Sequence, residues 1–353
     1  MSDTAPVRRL RPASMTDVAA LAGVSQKTVS RVVNDEPHVT EAVRAKVEAA
    51  ISELGFRPNA AARSLKSQRS RRVGLITIGT NLYGPTAMLT GVEQACRTHG
   101  YSLAVVRTLT ATAEELQPAV DSLIGQDVEA IVFSEPVDNQ MDQLRMPSGV
   151  TVLTLGPPDV ADRENTLAVG LDETGAAFAA TDHLLALGHE TVWHIAGPGN
   201  WTSSQRRETG WRAALQDAGV AEHEPVEGDW SPQSGHDAMR ALLSRPDVTA
   251  VFVANDQMAI GAMSAIQQAG LSVPGDISIV GFDDMPIAAF LPVPLTTIRQ
   301  DFDEATRLAM HRLFRTLDGH PPAERHRMLP GQLITRATSA PPSPERRHLR
   351  PAD

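Results

Sequence analysis

Seven apolar, β-rich runs, several of them separated by helix-length segments, constrain this chain more than any other feature. The runs are VGLITI (73–78), YSLAVV (101–106), EAIVF (129–133), VTVLTL (150–155), TVWHIAG (191–197), AVFVAN (250–255) and ISIVGF (277–282). Segments such as TAMLTGVEQACRTHG (86–100), DETGAAFAATDHLLALGH (172–189) and DQMAIGAMSAIQQAG (256–270) lie between them. A buried parallel strand reads as a continuous apolar run, because both its faces are covered. Its parallel neighbour is reached through a crossover, usually a helix. The alternation predicts βαβ units and parallel sheets covered on both sides. The length of the body, residues 72–340, fits two such sheets.

The first part of the chain follows a different rule. Thr16 is placed to cap a first helix, DVAALA, which Gly23 ends in a tight turn. Ser25 is placed to cap a second helix that runs through Val33. Thr40 is placed to cap a third, EAVRAKVEAAISEL, with Gly55 as its stop. In that third helix Val43, Val47, Ala50, Ile51 and Leu54 form one apolar stripe. Three short helices with a glycine turn between the first two predict a helix-turn-helix. The second helix then reads base edges in the major groove with its N-terminal residues.

Charge separates the two parts. The net charge is −10. Residues 1–72 nevertheless carry 13 Lys and Arg against 7 Asp and Glu, while the remainder carries 19 against 35. All three lysines, Lys27, Lys46 and Lys66, fall in the basic part. A basic head on an acidic body points to a polyanionic partner for the head.

The stretch MTDVAALAGVSQKTVSRVVNDEPHVTEAVRAKVEAAISELGFRPNAAARSLK (15–66) resembles the head of the LacI family of bacterial transcription regulators. The resemblance implies a helix-turn-helix domain over 15–58, a hinge helix and linker over 59–71, and an effector-binding and dimerisation body over 72–340. The body is expected to look like a periplasmic binding protein, with two subdomains and chain crossings near 171 and 300. Residues 1–14 and 341–353 are expected to be disordered tails. The family's base-reading positions fall on Gln26, Lys27 and Arg31. Gln suits adenine, and Lys and Arg suit guanine. Ser25, Thr28, Ser30 and Asn34 are of the types that hold phosphates or the helix cap. Asn59 can cap a hinge helix of about two turns, which is marginal alone in water. It is expected to order when paired with a second copy on DNA. There Leu65 takes the position of a leucine that wedges into the minor groove, and Arg63 and Lys66 meet phosphates.

Ligands of open α/β sheets sit beyond the carboxyl ends of the strands. The polar residues found there suit a sugar, which presents hydroxyls at its rim and C–H groups on its faces. They are Ser203 and Arg207 in WTSSQRRETGW, Trp230, Asn255, Asp283, and Gln300 with Phe302. Each lands on a position where a sugar-responsive family member contacts its ligand. The opposite wall departs from that pattern. An expected aspartate after VTVLTL is replaced by Gly156, Pro157 and Pro158, with Asp159 slightly beyond. A serine position is Ile78, and an asparagine position reads Ser134, which is retained as a candidate contact.

The expected function is therefore a sequence-specific repressor of carbohydrate-utilisation genes. A sugar or glycoside inducer would release it from a palindromic double-stranded DNA operator. A non-sugar or co-repressor ligand on the same fold, or a sugar-processing enzyme, are the alternatives. The tail SAPPSPERRHLRPAD has no leucine heptads, so a homodimer is expected. No run of about 18 apolar residues points to a membrane, and the polar N-terminus has no secretory signal, so cytoplasm is expected. No cofactor, metal or catalytic residue is expected. Asp283 and Asp284 are adjacent on a strand end and point in different directions. HIAGPGN lacks the lysine of a phosphate loop. His183 and His189 lack metal-ligand spacing and read as solvated or capping residues. Cys96 reads as a small buried hydrophobe.

Overall fold

The structure is a computed structural model that describes residues 13–34, 36–56, 69–78, 82–109, 112–134, 143–156, 165–245 and 247–343. It divides into two compact units, 1–70 and 71–353.

In the first unit α1 spans Met15–Ala22, α2 Gln26–Val33 and α3 Glu41–Leu54. Ser14, rather than Thr16, caps α1. Its hydroxyl accepts from the Asp17 amide, and the Asp17 carboxylate accepts from the Ser14 backbone N–H, forming a capping box. Gly23 ends α1 with φ 67°, a conformation a Cβ disfavours. Ser25 caps α2 by accepting from the Thr28 amide at 3.1 Å. Thr40 occupies the cap position of α3, but its side chain makes no cap bond. Val18, Val29, Val32, Val47, Ala50 and Phe56 close the small core. Leu54, at the end of the predicted stripe, stays exposed.

The second unit holds the two expected α/β layers. Its strands are β1 (Arg72–Ile78), β2 (Ser102–Thr108), β3 (Ala130–Phe133), β4 (Thr151–Thr154), β5 (Thr166–Asp172), β6 (Trp193–Ala196), β7 (Val226–Glu227), β8 (Ala250–Val253), β9 (Ser278–Asp283), β10 (Thr296–Arg299), β11 (His326–Pro330) and β12 (Gln332–Ile334). One sheet has the order β11-β5-β4-β3-β1-β2 and the other β12-β10-β9-β8-β6-β7. Every pairing is parallel except that of β12 with β10. All seven apolar runs fall on strands.

Helices cover both faces of each sheet. On the first sheet α4 (Tyr83–Thr98) and α10 (Phe302–Leu317) share a core with Val73, Leu75, Val132 and Leu153. On its other face α5 (Ala113–Ile124) packs on Ile76, Ile131 and Phe133. On the second sheet α6 (Glu173–Ala186) and α7 (Thr202–Ala218) cover one face, and α8 (Pro232–Leu242) and α9 (Asp256–Gln268) the other. The chain leaves the first sheet after β5, returns through α10, and passes back between β11 and β12 at Gly331.

Three side chains show how the sequence places buried groups. Cys96 is buried among apolar residues, and burial pushes its thiol up to about 12. His189 is not solvated: it is buried, with Nδ1 at 2.9 Å from Thr249 Oγ1 and Nε2 at 3.0 Å from the Ala340 carbonyl. His183 is half-buried, with Nε2 2.9 Å from Ser339 Oγ. The two imidazoles clasp the segment that follows β12 against the second sheet.

Candidate functional site

Parallel strands end on the same side of their sheet, so the residues that follow them converge on one edge. Here the ends of both sheets face a single cleft with about 710 Å³ of free space, including its open mouth. All eight residues read from the sequence line it: Ser134, Ser203, Arg207, Trp230, Asn255, Asp283, Gln300 and Phe302.

Arg207 organises the second-sheet wall. It rises from α7 and is 6% exposed. Its Nη2 donates to Glu173 Oε1 at 2.7 Å and lies 3.6 Å from Asp283 Oδ1. Its Nη1 donates to the Ala254 carbonyl. The guanidinium lies over the Phe282 ring, 4.1 Å from its centroid, and 5.4 Å from that of Trp230. An arginine so buried is held by paired charges and aromatic faces rather than by water.

Asp283 sits at the end of β9 with φ 108°, which turns its carboxylate into the cleft. Gln300 Nε2 donates to its Oδ1 at 2.9 Å. Burial pushes the Asp283 carboxyl up to about 6, against the downward pull of Arg207 and Gln300, and Glu173 adds to the rise. Asp284 turns elsewhere, accepting from Arg299 at 2.7 Å and Arg336 at 2.6 Å. The two adjacent carboxylates therefore do not share one site.

Asn255 caps α9 by accepting from the Met258 amide at 2.8 Å, and its Nδ2 donates to the Trp230 carbonyl at 3.1 Å. That bond holds the loop bearing Trp230, which packs directly over Gly197, where a Cβ would overlap the indole. Buried beneath, Asp256 accepts from Thr297 at 2.6 Å and from the Met285 amide at 2.7 Å. Burial and then the neighbouring Asp283 raise its carboxyl to about 8.

The first-sheet wall is mostly apolar among the described residues, including Pro85, Met88, Leu155, Val169 and Phe302, with Ser134 as a polar exception. Ser134 Oγ is buried and has no hydrogen-bond partner among the described residues. Asp159 lies outside them. Two polar or aromatic lining residues are not among the eight, Glu173 and Trp201. Glu173 follows β5 directly, and the strand-end rule that picked out Asn255 would have found it. Trp201 lies at the start of the WTSSQRRETGW motif, but nothing in its spacing marks it as facing the cleft.

In the first unit Gln26 and Lys27 are exposed at the start of α2, and Arg31 is half-exposed, 4.0 Å from Glu36. Ser25 Oγ and Thr28 Oγ1 are 2.8 Å apart, and Asn34 Nδ2 donates to Ser30 Oγ at 3.2 Å. Asn59, Arg63, Leu65 and Lys66 lie outside the described residues.

Residues 14–59 match the model of the bacterial regulatory proteins of the lacI family, and residues 181–339 that of the periplasmic binding protein-like domain. The lactose operon repressor of Escherichia coli strain K12 is 34% identical over 335 residues, covering 95% of this chain and 92% of its own. The ribose operon repressor of the same organism is 38% identical over 316 residues, covering 86% and 93%. The crystal structure of the lac repressor dimer bound to operator and the anti-inducer ONPF superposes with a TM-score of 0.84 at 34% identity, over 94% of this chain and all of that one.

Proposed function

The chain belongs to the LacI family of bacterial regulatory proteins, and from that premise we propose that it is a dimeric repressor of carbohydrate-utilisation genes, released from a palindromic operator by a sugar or glycoside. It is a DNA-binding transcriptional regulator rather than an enzyme, as are the relatives it matches along nearly its whole length. Acting on bacterial DNA, it works in the cytoplasm.

One observation carries the sugar reading: Arg207, Asn255, Asp283 and Gln300 converge on one end of a cleft that also presents Trp230. Fixed donors and acceptors for a ring of hydroxyls, beside an aromatic surface for C–H faces, are what a pyranose requires. In the head, Gln26, Lys27 and Arg31 read bases, while Ser25, Thr28, Ser30 and Asn34 hold the cap or the phosphates. Two heads on a two-fold axis read a palindrome. To Arg63, Leu65 and Lys66, which lie outside the described residues, we extend the minor-groove and phosphate contacts that family membership implies.

Effector binding shifts the body between two states, and operator affinity follows. A ligand shifts this balance only by its differential affinity for the two body states. A thermal-shift screen of sugars and purines tests the ligand class, and a turnover assay on the hits separates sensor from enzyme. A rise in melting temperature with sugars and no turnover is expected. A rise with purines alone would overturn the sugar reading.

A further inference from the structure

We infer that Trp201 forms a second aromatic subsite at the mouth of the cleft, and that the effector is a two-unit molecule, a disaccharide or an aryl glycoside rather than a free hexose. This rests on the sugar reading above and deepens it.

The aromatic residues lining the cleft differ in what they offer. Trp230 is 4% exposed and Phe302 7%, so each presents only a small part of its ring to the cleft. Trp201 is only half-buried, and so keeps open aromatic surface on the cleft. Its ring meets Trp230 edge-on, with centroids 5.7 Å apart and planes at 66°, so the two indoles form a corner. A sugar ring held by Arg207 and Asp283 beside Trp230 would leave the Trp201 surface to whatever is attached to that ring.

The loop that carries Trp201 is fixed before any ligand arrives. The Trp201 amide donates to the Pro198 carbonyl at 3.0 Å. Gly199 N–H donates to Glu227 Oε1 at 3.2 Å, and Gln205 Nε2 donates to the Gly199 carbonyl at 2.8 Å. A half-exposed indole on so tied a loop is a pre-organised apolar surface, which binds at low cost in conformational entropy.

The test is calorimetric titration of the full-length protein with three sets of probes: glucose and galactose, lactose and cellobiose, and the p-nitrophenyl β-glycosides of the same hexoses. The best two-unit probe is expected to bind at least tenfold tighter than its parent hexose. Trp201→Ala is expected to remove at least about tenfold from that probe, equivalent to about 1.4 kcal/mol, and to change the hexose less than twofold. Trp201→Phe retains most of the affinity, and the unliganded melting temperatures of both variants control for folding. Whether the disaccharide or the aryl arm gains more identifies the second unit. Equal weakening of both classes, or an unchanged two-unit affinity in Trp201→Ala, overturns the inference. A hexose that binds as tightly as its glycosides also overturns it while leaving the sugar reading intact. If no sugar in any arm binds, the sugar reading fails, and the inference fails with it.

Discussion

Arg207 Nη2 lies 2.7 Å from Glu173 Oε1, and both side chains are about 8% exposed, so the cleft's central cation is paired to the residue at which the chain crosses between sheets. Glu173 is the first residue of α6, directly after β5. The pair thus connects the ligand wall to the crossover between the two sheets.

Arg207→Ala leaves Glu173 and Asp283 buried without their cation. Breaking a buried pair from one side costs about 3–5 kcal/mol. Urea denaturation is expected to show a loss of that order, together with loss of sugar binding. A variant that keeps full stability would mean that the pair is solvated in solution. Glu173→Gln, which still offers an amide oxygen to Arg207, is expected to lose less.

The pH dependence of stability has a defined sign between about pH 7 and 8.5. The folded-state value of Asp256, about 8, lies above the ordinary 3.8. The folded state therefore holds a proton that the unfolded state has released, and the stability it contributes is lost as pH rises through about 8. His194 is lowered to about 4, chiefly by burial. Its contribution is lost as pH falls below about 6.5, outside that window. The melting temperature is expected to fall from pH 7 to 8.5, and Asp256→Asn is expected to flatten the slope. An unchanged slope in that variant would show that another group titrates.

Sugar affinity has the opposite sign. With Asp283 held at about 6, a ligand hydroxyl finds an ionised acceptor above that pH and a protonated one below it. Affinity measured by calorimetry is expected to drop between pH 7 and 5, and Asp283→Asn is expected to bind weakly at every pH. A flat profile in the native protein would remove Asp283 from the contact set.

In the head, Ser14→Ala removes the hydroxyl of the capping box, at a cost of about 1 kcal/mol, and should lower head stability without changing which base sequence is selected. Gln26→Ala should instead relax selection at one base position, at a cost of about 1–3 kcal/mol. Selection from a random duplex pool distinguishes the two. Loss of selectivity in Ser14→Ala alone would contradict this division.

The seven long apolar runs made both sheets legible, because strands buried on two faces carry the pattern themselves. β5 and β10 were not among those runs although both are largely buried, the short or half-exposed β7, β11 and β12 carry no such signal, and the crossing at Gly331 went unread with them. Residues after strands pointed to the cleft reliably, from Asn255 to Gln300. Trp201 was missed because its loop is tied by a bond from Gly199 to Glu227, 28 residues away, that no local pattern encodes. His189 read as solvated or capping because its partners, Thr249 and Ala340, are far away in sequence. The cap of α1 was misplaced by two residues because Ser14 and Thr16 are both good capping types, and only the Asp17 carboxylate decides between them.

The most direct test of the account is the linkage between cleft and operator. Fluorescence anisotropy would measure the full-length protein on the palindrome it selects, with and without the sugar that raises its melting temperature. The expected result is a loss of operator affinity of about 5–150-fold, the range of a coupling of about 1–3 kcal/mol, with a steep dependence on salt in the unliganded state. A sugar that saturates the cleft and leaves operator affinity unchanged would contradict the account.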